Sequence, residues 1–305
     1  VLLDQLEADG VMGNSVIFFW SDHGGNLLRQ KRAVGDSGLH VPLIIRYPDG
    51  YRAGETENRL VSLMDLGPTV ISLAGINPPD YMDGKAFAGP FEEAPRDYIF
   101  GSADRFDEST DMQRSVLDGR YVYIKNFMPE LPLIYRNRYR EQIPMNKHLI
   151  ELHAAGKLEG DAAYIFMKTK PLEEFYDLNN DPYEVHNLAN DPAHTEKLKL
   201  LRSQLSQWQA SIKDRGFTPE SEIIREFWPG MIQPVTADVK IQQQNNTIVL
   251  SCATEGASIA YQLSDAIGTD YWQLYSKPLL LQPQEKISTR AIRIGYKASK
   301  ITVKN

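Results

Sequence analysis

An Asp-His pair, Asp22-His23, follows the short apolar run "SVIFFW" of residues 15–20 and precedes Gly24 and Gly25. A carboxylate and an imidazole at a strand terminus can both turn toward one cation or one anionic oxyacid. In open α/β sheets ligands bind where strands end, so this edge is a candidate site on position alone. Two glycines there let backbone approach a ligand closely. Taken locally, an Asx turn accounts for the same residues equally well. Lys31 lies further along, in the polar loop "LRQKRAVGDSG" between two apolar runs. Its ammonium can reach a bound sulfate or phosphate as a point charge. With Arg29 and Arg32 beside it, a solvated lysine is the plainer local reading.

Other chemistry-bearing residues read more blandly. His40 stands directly before an apolar run and is expected as a hydrogen-bonded packing residue, with Asp36 as a turn residue. Arg105, in "SADRFDEST", is flanked by Asp104, Asp107 and Glu108. Either it pairs with these neighbours on the surface, or the loop offers a mixed polar surface to a sugar. Tyr121, Tyr123 and Phe127 follow strand alternation and are expected in the core.

The elements that must position these residues read as follows. Residues 15–20 form a continuous apolar run that fits a fully buried strand of a parallel or mixed sheet. A second run, "VPLIIRY", is closed by Pro48-Asp49-Gly50, and "LVSLMDLGPTVISLAGI" enters a helix ended by Gly75. This is βαβ grammar. From about residue 96 a smaller α+β unit is expected, in which Asp118-Gly119 joins two alternating strands as a hairpin. A long amphipathic helix from about Pro192 to Lys213 carries Leu198, Leu201, Leu205, Trp208 and Ile212 on one stripe, which should cover a sheet face. From Val235 onward short alternating segments recur with turns between them, the pattern of a small β-sandwich. The expected division is therefore 1–95, 96–230 and 231–305.

Composition narrows the function. The 305 residues are 42% hydrophobic, enough for ordinary globular cores. A formal charge of −7 with dispersed acidic residues argues against nucleic acid as a partner. Cys252 is the only cysteine, which excludes an intrachain disulfide and a Cys-rich zinc site. No apolar run is long enough to form a transmembrane segment. Leu2, Leu3 and Leu6 already have helical spacing, so the chain is expected to open inside an element, with Val1 a truncation point.

In combination these residues resemble a known family. "SDHGGNLLRQKRAVGDSGLHVPLIIRYP" is similar to the second signature region of the sulfatases, within the alkaline-phosphatase-like superfamily. There a strand and S-D-H/N-G are followed by a lysine, then seven residues on by a glycine, then a V-P-L-I strand, and Lys31 to Gly38 keeps that spacing. The resemblance continues through "LVSLMDLGPTVISLAGI", "YMDGKAF" and "EFYDLNNDPYEVHNLANDP", which resembles the sulfatase C-terminal subdomain signature. "ADRFDE" and "RYVYIKNFMPELP" look like the heparan N-sulfatase-like branch. The stretch from Gly256 resembles the small β-sandwich appended to chitobiases, with Leu263-Ser264-Asp265 replacing an acidic turn.

The resemblance implies an α/β fold: the C-terminal part of a sulfatase domain, an α+β subdomain with an antiparallel sheet, then a β-sandwich. It implies hydrolysis of sulfate esters or sulfamates on carbohydrate, in the periplasm or outside a bacterial cell. It further implies Asp22 and His23 as ligands of one calcium ion, with His23 also a sulfate contact, and Lys31 as the catalytic group holding the sulfate oxygens, while Arg105 is expected as a substrate contact from its own polar loop. The family's nucleophile is a formylglycine made within C/S-x-P-x-R. That motif does not occur in these residues, Cys252 being followed by "ATEG", so this chain alone is expected to be inactive. Two alternatives compete: a phosphoesterase or phosphomutase of the same superfamily, and a non-catalytic glycan-binding fragment. The first is disfavoured by "GDSG" where a further metal-binding histidine is expected, with His40 too close to Val41. The second would be favoured if the gene held no upstream nucleophile segment.

Overall fold

The computed structural model describes residues 1–106 and 108–304, which divide into two compact units, Val1–Asp214 and Arg215–Asn305. The architecture is mixed α/β with several antiparallel sheets. Among the described residues no helix is long and apolar enough to cross a membrane.

In the first unit, β1 (Ile17–Trp20) pairs with β2 (Leu43–Arg46) in a two-stranded ribbon, with Ile17 opposite Arg46 and Trp20 opposite Leu43. This corrects two sequence expectations. The strands are antiparallel, because their connection contains only a helical turn, Asp36–Leu39, and no crossover helix that could return the chain in the same direction. Nor is the ribbon buried: Phe19 is 66% and Ile44 61% exposed. Apolar runs report which residues can be buried, and with a single partner strand one face of this ribbon stays open.

The larger sheet has the order β3-β4-β5-β6, built from β3 (Ile99–Phe106), β4 (Ser109–Leu117), β5 (Tyr121–Asn126) and β6 (Glu173–Asp177), all antiparallel. Asp118-Gly119 turns β4 into β5 as expected. The Asp118 carboxylate accepts the Arg120 and Tyr121 amides, and Gly119 takes the positive φ of 91° that the turn requires.

Alternation then sends neighbouring residues to opposite faces of the sheet. On one face Val116, Tyr123 and Phe175 pack against Leu198, Leu201 and Leu205 of the helix Thr195–Ser211. Trp208 stacks on Phe100 with ring centroids 4.9 Å apart. Ile212, counted in the expected stripe, lies past the helix end and is exposed. On the other face Leu117, Val122, Ile124 and Tyr176 gather around Val34. The loop that carries Lys31 is thereby seated on the second face.

The second unit holds two antiparallel sheets. One contains β7 (Lys240–Gln244), β8 (Thr247–Ser251) and β11 (Leu279–Leu280). The other contains β9 (Ser258–Leu263), β10 (Gln273–Leu274), β12 (Ile287–Ile292) and β13 (Thr302–Lys304). Ile248 and Leu250 of one sheet share a core with Tyr261, Ile287 and Ala291 of the other.

Candidate functional site

The segment after β1 is a tight loop. The Ser21 amide donates to the Pro42 carbonyl at 3.3 Å, and the Ser21 hydroxyl donates to the His23 carbonyl at 2.6 Å. The Asp22 side chain is 82% exposed, and its Oδ2 lies 3.5 Å from His23 Nε2. His23 Nδ1 is 2.6 Å from the Gly24 carbonyl oxygen, which fixes the donor on that nitrogen and turns Nε2 toward Asp22.

Gly24 and Gly38 are packed against the protein's own backbone. Gly24 donates to the Gly38 carbonyl at 3.1 Å, and a Cβ on Gly24 would collide with the Ser37 carbonyl. A Cβ on Gly38 would collide with the carbonyls of Gln30 and Ala33. The spacing from Lys31 to Gly38 thus has a steric cause: the chain beyond Lys31 folds back over itself, and only a residue without a side chain fits where it closes.

Lys31 is tied into the same loop. Its amide donates to the Gly25 carbonyl at 2.9 Å, two residues after His23. Its Nζ stands 5.1 Å from the centroid of the Tyr139 ring, a cation–π arrangement that orders the side chain. Arg32, the next residue, takes a positive φ of 75°, a strained conformation for a side chain with a Cβ, and its guanidinium lies over the Phe106 ring at 4.9 Å.

A clamp from a distant part of the sequence holds the loop. Glu184 of the "DPYEVHN" stretch has its side chain buried, and its Oε1 accepts the Asp36 amide at 2.9 Å. Arg29 donates to the Tyr183 carbonyl at 2.5 Å and to the Glu184 carbonyl at 2.9 Å. Burial pushes the Glu184 carboxyl above the usual range, while the Asp36 amide and the Arg29 charge oppose that shift. Arg29, which reads as a surface cation, is therefore an anchor. Conversely, His40 is exposed rather than packed, and its Nδ1 lies 3.4 Å from Asp36 Oδ1.

Lys31 opens onto a cavity of about 120 Å³ between this loop and the open face of the larger sheet. Arg32 and Arg140 line it with Lys31, as do Asp104, Asp111 and Glu174. Arg105 is exposed on β3, opposite Thr110 and just past a bulge at Asp104, and does not line the cavity. Of the flanking acids, Asp104 meets Arg114 and Glu108 meets Arg138. Asp107 lies outside the described residues. The structure thus gathers Asp22, His23 and Lys31 in one loop, while Arg105 sits on a separate strand.

Calcium surrounds itself with roughly six to eight oxygen ligands. Asp22 and His23 offer one carboxylate and one imidazole, and among the described residues no cluster of three His, Cys, Asp or Glu side chains forms. The pair does not by itself fit a calcium ion.

Arg140 was not foreseen. It is 5% exposed, donating from Nη1 to the Leu28 carbonyl at 2.9 Å and from Nη2 to the Tyr135 carbonyl at 3.2 Å. Asp111 and Lys170 form a second unforeseen unit, an ion pair at 2.7 Å, with the Tyr135 hydroxyl 3.2 Å from the same ammonium.

Residues 1–76 match the family model Sulfatase. An ulvan-active sulfatase of Formosa agariphila is 42% identical over 302 residues, covering 98% of this chain and 51% of that protein. The N-sulphoglucosamine sulphohydrolase of Homo sapiens is 25% identical over 250 residues, covering 77% of this chain and 49% of that protein. The chain thus spans about half the length of these relatives. A solved 2-O GAG sulfatase is similar in fold, with a TM-score of 0.51 at 22% identity, covering 70% of this chain and 40% of that one.

Proposed function

We propose that this chain, which belongs to the sulfatase family, contributes the sulfate-holding part of an active site that removes sulfate groups from carbohydrate. The observation that carries the reading is the Lys31 loop: a lysine ordered over Tyr139, its amide bound to the Gly25 carbonyl two residues past Asp22-His23, at the mouth of a cavity. The named relatives, two of which are called ulvan-active and N-sulphoglucosamine enzymes, support sulfated sugars as the substrate class.

In this reading the Lys31 ammonium neutralises the sulfate oxygens on binding. Its stabilisation grows as the S–O bond breaks and negative charge accumulates on the leaving oxygen. Tyr139 keeps the ammonium oriented, and Glu184 with Arg29 keeps the loop from relaxing, so little reorganisation accompanies the reaction. Asp22 and His23 stand earlier in the same loop, before the Gly25 carbonyl that accepts the Lys31 amide. No step is assigned to a metal or to formylglycine, because the described residues do not complete a calcium site and the C/S-x-P-x-R segment is absent from the 305 residues.

The test is sulfate release from a sulfated polysaccharide by the full-length protein of the natural gene. Lys31→Ala is expected to lower kcat about 10²- to 10³-fold with the fold intact by circular dichroism. Turnover within threefold of wild type would remove Lys31 from the mechanism.

A further inference from the structure

Tyr139, the ring on which Lys31 rests, is itself 53% exposed, so burial does not fix it. Its place is set through the backbone on either side. A helical turn, Arg140–Gln142, follows it and is held from Asn137: the Arg140 amide donates to Asn137 Oδ1 at 3.0 Å and the Glu141 amide to the Asn137 carbonyl at 2.9 Å. Pro144 then opens the helix Pro144–Ala154 and puts Asn146 in its first turn.

Two buried side chains of this segment reach across to the Lys31 loop. Arg140, 5% exposed, donates from Nη1 to the Leu28 carbonyl at 2.9 Å and from Nη2 to the Tyr135 carbonyl of its own segment at 3.2 Å. Asn146, fully buried, donates from Nδ2 to the Asn26 carbonyl and to the Arg140 carbonyl, each at 3.1 Å. On the loop side the backbone is one tight turn, in which the Leu27 and Lys31 amides both donate to the Gly25 carbonyl, at 2.8 and 2.9 Å. Asn26 and Leu28 lie inside that turn, so holding their carbonyls holds the backbone from which Lys31 projects.

Stability does not account for an arginine at this position. A buried guanidinium that meets no carboxylate loses hydration that carbonyl dipoles replace only in part, and its buried Nε has no acceptor among the described residues. Burial pushes it below its ordinary range. What the guanidinium supplies is shape. Its planar fork meets carbonyls of two segments at a fixed separation, which a lysine ammonium, a compact donor on a flexible stem, does not reproduce.

We propose that Arg140 and Asn146 are positioning residues for Lys31: they lock the segment bearing Tyr139 onto the turn bearing Lys31, so that ring and ammonium meet at the mouth of the cavity. The inference rests on the reading of Lys31 as the sulfate contact, and neither positioning residue touches the substrate. With the lock loosened, the ammonium spreads over more orientations. The loss then falls on kcat more than on KM, because Lys31 acts most strongly as charge develops on the leaving oxygen.

The experiment uses the full-length protein of the natural gene carrying Arg140→Lys, which keeps the buried charge and loses the fork. Its kcat for sulfate release is expected to fall about tenfold, with KM changed by less than about threefold. In a Lys31→Ala background the same substitution is expected to have almost no further effect, since no ammonium is left to place. Equal losses of kcat in the two backgrounds would make Arg140 merely structural and overturn the proposal. Asn146→Ala is expected to show the same pattern with a smaller loss, and it carries the test if Arg140→Lys does not fold. A second readout needs no activity. Lys31 is half-buried, and its reductive methylation, followed by peptide mass spectrometry, is expected to quicken at least about threefold in either variant, while Lys197, on the helix of the opposite sheet face, is unchanged. Unchanged labelling of Lys31 would also overturn the lock. Failure of the sulfatase reading looks different: wild-type protein would release no sulfate, while Lys31 labelling still depended on Arg140.

Discussion

The two faces of the β3–β6 sheet are both covered, yet they are covered in opposite ways. The face under the helix Thr195–Ser211 is closed by Leu198, Leu201 and Leu205 against Val116, Tyr123 and Phe175. The face under the Lys31 loop begins with a small apolar patch around Val34 and then opens into a charged cavity. Their buried arginines differ in the same sense. Arg114 is 1% exposed and binds Asp214 through Nε and Nη2 at 2.7 Å while also meeting Asp104. Arg140 is nearly as buried and meets no carboxylate among the described residues. A sealed face completes its charges internally. The other face leaves a buried guanidinium held by backbone carbonyls alone.

The largest effect expected from this contrast is at Arg114. Arg114→Gln leaves Asp104 and Asp214 without their shared cation and is expected to destabilise the protein by about 3–5 kcal/mol in chemical denaturation. Arg140→Gln removes a cation that has no carboxylate to strand, and is expected to cost clearly less stability than Arg114→Gln. Equal losses of stability at the two positions would dissolve the distinction between the faces.

A smaller effect is expected at the sheet end common to both faces. The Arg120 guanidinium, bidentate at 2.9 and 2.6 Å, holds the Asp177 carboxyl down to about 2, from an ordinary value of 3.8. A carboxyl lowered by folding contributes stability above its unfolded value and loses it as pH falls through the folded one. Wild-type protein is therefore expected to lose stability between about pH 4 and pH 2 more steeply than Asp177→Asn, followed by thermal melts across that window. Parallel pH profiles would show that this pair does not contribute to acid stability.

Local signals were legible in the sequence, and long-range ones were not. Asp118-Gly119 marks its hairpin because the turn chemistry is contained in four residues, and the stripe through Leu198, Leu201 and Leu205 marks its helix by period alone. The segments from Lys240 to Ile292 read as strands for the same reason. Asp22, His23 and Lys31 were readable as one loop because they lie within ten residues. The antiparallel pairing of β1 with β2 was not, since an apolar run carries no direction. The clamp of Arg29 on Glu184 spans 155 positions, and the bond from Arg140 to Leu28 spans 112. Arg140 stands in "YRNRYREQ" beside Arg136 and Arg138, both exposed, and nothing in residue type separates the buried arginine from its neighbours. Only the fold makes it distinct.

The central claim is that the Lys31 loop holds the sulfate that is removed. A crystal structure of the full-length protein with a sulfated sugar tests it most directly. The account predicts a sulfate oxygen within hydrogen-bonding distance of Lys31 Nζ. Sulfate bound elsewhere, with Lys31 still resting on Tyr139 and no ligand atom near it, would contradict the account.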